Sequence, residues 1–365
     1  MSNPDQHPEA TVCAASPDGG TELQLIEPRE VPLGGLRAMT VRRTLPQRAR
    51  SFIGGWCFVD HYGPDDVSVT GGMDVPAHPH IGLQTASWLF AGEIEHRDSA
   101  GFHAMVRPGE LNLMTAGRGI SHSERSTPGT RVLHGVQLWI ALPRHAADTA
   151  PTFAHYEPPL LHGPGWVGQV FLGALLGAQS PVETHSPLLG AELQLSPGAV
   201  LDLDVDPSFE HGVLVDHGDV TLAVPAAGVP ADVPAGTEAD PAPLALAPDQ
   251  LGFAPTGAAA LRLTAGPGGA RLMLLGGEPL GEQLIMWWNF VGRSHEEIVQ
   301  ARADWQARVA FAGVGDPSGD EAAAPAPAAP PVTADPDRFR LPEHEPAPPL
   351  PAPAAPIARL VPRTQ

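Results

Sequence analysis

From Glu22 onward the chain runs as short apolar stretches, most of them cut off by Gly, Pro, Asp or Ser. That rhythm predicts the strands of a sandwich or barrel. The first set is Leu23–Ile26, Leu36–Val41, Phe52–Val59, Gln84–Phe90, Glu93–His96, His103–Val106, Glu110–Met114 and Val132–Leu142. A second set follows at Val167–Leu172, Ala191–Leu195, Val200–Val205, Gly212–Val215, Asp219–Val224, Gln250–Phe253, Ala259–Thr264 and Arg271–Leu275. Ala226–Ala247 interrupts it as a Pro/Ala-rich stretch that reads as a solvated hairpin insertion. A helix is expected only at about 294–310, where Ser294 and Glu297 have the spacing of a capping box and Ile298, Trp305 and Val309 share one face.

The pattern divides the chain into a flexible leader at 1–20, a first barrel at 21–145 and a second barrel with its helix at 146–312. A Pro/Ala-rich tail, too poor in apolar surface to order itself, follows at 313–365. Within that tail Leu350–Val361 has enough apolar content to dock as an extended strand. Composition agrees with an all-β body: 43 Pro and 40 Gly in 365 residues, with only 17% charged.

Charge narrows the function. The formal net charge is −20 and every one of the 21 basic residues is Arg, with no run longer than Arg42-Arg43. Nucleic-acid affinity comes largely from cations displacing counterions on phosphate, so direct DNA or RNA binding is not expected. No stretch of about 18 apolar residues is present, and the first residues lack the features of a signal peptide. Two cysteines, Cys13 and Cys57, do not suggest a disulfide framework, and the cytoplasm is the expected compartment.

The chemistry concentrates in two dyads, His78-Pro-His80 and, about forty residues on, His122-Ser-Glu124. In a strand, residues i and i+2 point to the same face, so each dyad can aim two side chains into a barrel. Three imidazoles and a carboxylate suit Fe(II), Mn, Ni, Cu or Zn, and leave positions open for substrate or dioxygen. A single His-x-His is expected by chance among 16 histidines, and His-x-Glu recurs at His7, His155 and His295. The weight lies in the pairing of the dyads, each behind a Gly-rich turn and among β-like segments.

Several strings resemble the pirin family of the cupin superfamily: Phe58-Val-Asp-His-Tyr-Gly-Pro64, His78-Pro-His-Ile-Gly-Leu-Gln-Thr85, Leu113-Met-Thr-Ala-Gly-Arg-Gly-Ile-Ser-His-Ser-Glu124, His134-Gly-Val-Gln-Leu-Trp139 and Leu275-Gly-Gly-Glu-Pro-Leu280. The resemblance runs from about Glu27 to Arg308. It implies two tandem cupin (double-stranded β-helix, jelly-roll) barrels and one metal, most often iron, held in the first by His78, His80, His122 and Glu124. Many other cupins take a Glu shortly after the His-x-His pair; Gln84 stands there instead, so the carboxylate must come from Glu124. Gln84, His61, His96 and His134 are then candidates to support a ligand or touch substrate. His211 and His217 in the second barrel form no comparable pair, so a second ion is not expected there.

The resemblance further implies Fe(II)-dependent, quercetinase-like 2,3-dioxygenation of a flavonol, with dioxygen as co-substrate and Glu124 as the base. Phe52, Trp56, Phe58 and Trp88 are candidate aromatic walls. Two alternatives stand beside this: a redox-responsive regulator acting through a protein partner, and a different metal-dependent cupin enzyme such as an isomerase or hydrolase.

Overall fold

The Leu83–Ala91 strand shows why the chain layers as it does. Leu83, Thr85, Ser87 and Leu89 face one way and Gln84, Ala86 and Trp88 the other, and all seven are buried. A strand buried on both faces needs a packed layer on each. On one side Leu83 meets Phe58, Met114 and Trp139 inside the first barrel. On the other, Ala86 and Trp88 join Leu214, Leu251 and Met273 of the second.

The computed structural model describes residues 11–13, 22–32, 39–225, 242–312, 333–355 and 359–360. Among them the first barrel is two antiparallel sheets. The larger runs in the order Thr152–Tyr156, Leu111–Thr115, Leu83–Ala91, Val132–Ala141, Trp56–Asp66, Thr40–Leu45 and Arg29–Pro32. The smaller runs Asp74–His80, Ile120–Ser126, Ile94–Asp98 and His103–Val106. In the second barrel two strands are longer than their sequence pattern suggests. Glu210–Ala223 absorbs both 212–215 and 219–224, and Ala260–Gly277 absorbs both 259–264 and 271–275. Register shifts at Val215/His217 and Gly218/Val220 bend the first of these without ending it, which is how a bulge lets one strand imitate two.

The two barrels exchange segments, so the division at 145/146 does not hold. Thr152–Tyr156 pairs with Leu111–Thr115 in the first barrel, while Gln24–Ile26 pairs with Leu251–Phe253 in the second. The hairpin of Leu284–Trp287 and Phe290–Gly292 places Leu284, Met286 and Val291 in the first barrel's apolar cluster. Part of the expected leader is also a strand, Thr11–Cys13, paired with Leu284–Met286; the rest of 1–20 lies outside the described residues. So do 226–241 of the proline-rich insertion, but its end, Leu244–Leu246, pairs with Val220–Leu222.

The helix spans His295–Phe311 and buries Ile298, Ala301, Trp305 and Val309. Ser294 caps it by accepting from the Glu297 amide at 3.2 Å. The Glu297 carboxylate accepts from the Arg293 amide at 2.7 Å, one residue earlier than a capping box requires. Residues 333–355 contradict the expectation of a wholly disordered tail. Phe339 is fully buried near Phe290 and Trp305, and the Leu350 amide donates to the Ala77 carbonyl at 2.8 Å. The Ser121 hydroxyl donates to the Arg340 carbonyl, and Arg125 pairs with Glu345. This strap covers the outer side of the strands that carry the histidine dyads. Leu350 docks through its amide and side chain, without forming a strand.

The two interiors differ in kind. The second barrel's cluster is built of Val, Leu and Ala. The first encloses polar groups: Arg43 forks onto Asp60 at 2.6 and 2.7 Å, and Ser87 donates to Gln137 at 2.9 Å. One polar group in the second barrel is His211, buried, with no partner for either ring nitrogen among the described residues. Burial pulls its pKa down to about 4, against a smaller opposing pull from Asp206.

Two outcomes follow from this packing. Gly82 has φ +69°, and a Cβ there would lie 2.1 Å from the Val291 carbonyl oxygen. Gly82→Ala should therefore cost about 2–4 kcal/mol in thermal or urea unfolding; an unchanged midpoint would refute the close approach. For His211 the sign is fixed by linkage. Between pH 6.5 and about 4 the unfolded chain binds a proton that the folded chain refuses, so stability falls as pH falls. His211→Phe should make the acid limb shallower by about 1.4 kcal/mol per pH unit, read from urea unfolding across that window.

Candidate metal centre

The dyads lie on adjacent antiparallel strands, Asp74–His80 and Ile120–Ser126, with His122 directly opposite His78. A register shift between His122 and Glu124 sets Glu124 opposite Val75. On the other flank of the same strand, His122 faces Asp98 and Glu124 faces His96. One inward face of three neighbouring strands thus carries His78, His80, His122, Glu124, His96 and Asp98, all buried.

Three imidazoles converge. One ring nitrogen from each of His78, His80 and His122 lies within 4.8 Å of the others, and the Nε2 atoms of His80 and His122 are 3.0 Å apart. Backbone carbonyls choose the tautomers of two of them. His78 Nδ1 donates to the Pro76 carbonyl at 3.0 Å, and His80 Nδ1 donates to the Asn289 carbonyl at 3.1 Å. A carbonyl can only accept, so both protons sit on Nδ1 and both Nε2 atoms present bare lone pairs. His78 Nε2 is buried with no hydrogen-bond partner among the described residues. Burial holds all three rings well below the ordinary histidine pKa, and neighbouring imidazoles add to it, so they are neutral, the form that binds metal. Buried imidazoles with converging nitrogen lone pairs fit a cation.

Glu124 enters a second group, with His96 and His122, whose ligand atoms are again within 4.8 Å of one another. His122 is common to both groups. Tyr62 points inward beside Glu124, its hydroxyl buried without a hydrogen-bond partner among the described residues. Burial, with the Glu124 charge as a second cause, raises the Tyr62 pKa far above the ordinary phenol value, so it stays an O–H. The nearby aromatic surface is Trp139, edge-on to His80 at 5.2 Å and stacked on Phe58 at 4.1 Å. Phe153 lies 5.0 Å from His96.

The remaining sequence candidates go elsewhere. His61 and His134 point out of the barrel, where their Nε2 atoms reach one Asp216 oxygen of the second barrel at 2.8 and 2.6 Å. Gln84 shares the outer face with Ala86 and Trp88, and its amide donates to Thr115 at 2.9 Å. Trp56 donates to the Leu189 and Gly276 carbonyls at 3.2 and 3.0 Å, and Trp88 to Glu192 at 2.7 Å, so both are joints between barrels rather than walls. Phe52 and Phe58 belong to the inner cluster with Trp139. Tyr62, Trp139 and Asp98 were open to a strict i, i+2 reading of their strands; Phe153 and Asn289 come from segments that only the fold brings here.

The comparisons match this architecture. The sequence model of Pirin matches residues 38–140, and that of the Pirin C-terminal cupin domain matches 190–311. A Pseudomonas aeruginosa protein provisionally named quercetin 2,3-dioxygenase is 42% identical over 285 residues, covering 78% of this chain and 84% of its own. A Caulobacter vibrioides pirin-like protein is 36% identical over 73% of this chain and 88% of its own. Among solved structures, a quercetin 2,3-dioxygenase from Acinetobacter baumannii superposes with a TM-score of 0.70 at 33% identity, covering 86% of this chain and 98% of that one.

Proposed function

Because this chain belongs to the pirin family of the cupin superfamily, we propose that its first barrel holds one divalent metal and acts as a quercetinase-type dioxygenase on flavonol-like aromatic substrates. His78, His80 and His122 are the nitrogen ligands and Glu124 the carboxylate. The observation that carries the reading is the trio of buried neutral imidazoles within 4.8 Å, two of them with Nε2 bared by a carbonyl on Nδ1. The donor set suits Fe(II), Mn, Ni, Cu or Zn, and the resemblance to pirins favours iron(II). The names of the Pseudomonas and Acinetobacter relatives support the substrate class.

When bound, the metal supplies open positions at which substrate and dioxygen meet and exchange electron density. The protein does the rest. Glu124 accepts the proton of the flavonol hydroxyl, a base role open to a carboxylate in a water-poor pocket. Tyr62, kept as a phenol, can donate to an oxygen of the bound substrate. Trp139, backed by Phe58, and Phe153 offer apolar surface to an aromatic ring. We infer the reducing cytoplasm as its compartment, since the sequence suggests no disulfide framework. No helix among the described residues is long and apolar enough to cross a membrane.

Protein loaded anaerobically with iron(II) should consume quercetin and dioxygen together. His80→Ala and Glu124→Gln should each lower turnover by roughly 10²–10⁴-fold. One tightly bound iron with no flavonol consumed would favour the regulator acting through a protein partner. Zinc retained from purification, with no oxygen uptake, would favour an isomerase or hydrolase.

A further inference from the structure

We propose that His96 and Asp98 are positioning residues for the metal, linking the turn at 99–102 to His122 through a hydrogen-bond relay. The inference rests on the ligand reading above and concerns two residues outside that ligand set. For His122 to bind through Nε2, its proton must sit on Nδ1 and find an acceptor. Among the described residues no carbonyl serves it as Pro76 serves His78. Instead His122 Nδ1 lies 3.3 Å from His96 Nδ1. His96 can accept there only if its own proton is on Nε2, and that nitrogen lies 3.2 Å from Asp98 Oδ2. Each link therefore fixes the next, and the chain ends on a carboxylate.

The carboxylate is itself anchored. Asp98 Oδ1 accepts from the Ala100 amide at 2.9 Å and the Phe102 amide at 3.1 Å, across the turn between the Ile94–Asp98 and His103–Val106 strands. Both oxygens are thus committed as acceptors, one to the turn and one to His96. His96 and Asp98 are buried, so water cannot readily substitute for either partner. With the relay set, the Nε2 lone pairs of His80 and His122 face each other at 3.0 Å, a repulsion that a cation between them removes. His96 also falls in a group with His122 and Glu124 that could itself take an ion. A direct-ligand role for His96 is the competing account.

Side-chain chemistry separates the two. In Asp98→Asn, one carboxylate oxygen becomes an NH2 donor. If the amide oxygen stays on the turn, the NH2 faces His96 Nε2, moves the His96 proton to Nδ1, and turns His122 Nε2–H toward the metal. In His96→Gln the amide oxygen can still accept from His122 and the NH2 can still donate to Asp98. In His96→Phe neither is possible. The full-length protein and these three variants would be titrated anaerobically with iron(II) against a chromophoric chelator. Copper(II)-loaded samples would be compared by electron paramagnetic resonance, and metal-free unfolding followed by circular dichroism.

The expected result is an affinity loss of about 10–100-fold in Asp98→Asn and His96→Phe, with His96→Gln close to the parent in both affinity and nitrogen hyperfine pattern. Equal losses in His96→Gln and His96→Phe, with one fewer coupled nitrogen, would make His96 a ligand and overturn the relay. Unchanged affinity in Asp98→Asn and His96→Phe while the parent binds one ion would also overturn it, leaving the ligand set intact. Failure of the parent protein to bind any ion would instead overturn the reading beneath it. A shift confined to the metal-free unfolding midpoint would reduce both residues to turn and core supports and reject the proposal.

Discussion

Two protons govern how this molecule is organised: those on Nδ1 of His78 and His80, each given to a backbone carbonyl. A side-chain acceptor could rotate away, but a carbonyl is fixed by the chain, so the direction of the opposite nitrogen is built into the fold. For His78 the acceptor is its own strand, two residues back. For His80 it is Asn289, more than two hundred residues on, in a hairpin that leaves the second barrel's strands and packs into the first. Gly82 lets that hairpin approach closely, because any Cβ there would strike the Val291 carbonyl. The second barrel's part of the chain is therefore a component of the proposed metal centre.

The two interiors divide their contents unequally. Among the described residues the second barrel's main cluster is aliphatic, with His211 buried beside it. Several of the first barrel's polar contents have partners, among them the buried Arg43–Asp60 fork beneath Phe58. Between the barrels, Asp216 takes hydrogen bonds from His61 and His134 and an ion pair from Arg271. Burial pushes the Asp216 carboxyl up, but the bonds from His134 and His61 outweigh it and hold it well below the usual carboxylate range. Such a junction favours one docking geometry over others, since any misalignment strands a buried charge.

Much of this was legible in the residues. Alternation located most strands, the i, i+2 spacing of the two dyads put their four side chains on one face, and the pirin-like strings pointed to the bicupin fold. What could not be read was the side of the sheet on which a histidine falls once bulges intervene. His61 and Tyr62 are neighbours on one strand, yet only Tyr62 faces the centre; His134 and Trp139 divide in the same way. Trp56 and Trp88 could be read as core or as pocket wall, and only the fold shows them as joints between the barrels. Asn289 carries no signal at all, since it acts through its main chain. The proline-rich composition of 333–355 concealed a packed strap, because a few anchors such as Phe339 and Leu350 suffice when a neighbouring surface is already formed.

X-ray absorption at the iron edge of the loaded protein reads the proposed ligand set itself. The expected result is a single class of iron with three imidazole nitrogens and one carboxylate oxygen at about 2.0–2.2 Å, the rest of the shell being light atoms from solvent or substrate. Iron surrounded by oxygen alone, or carrying fewer than three imidazoles, would contradict it.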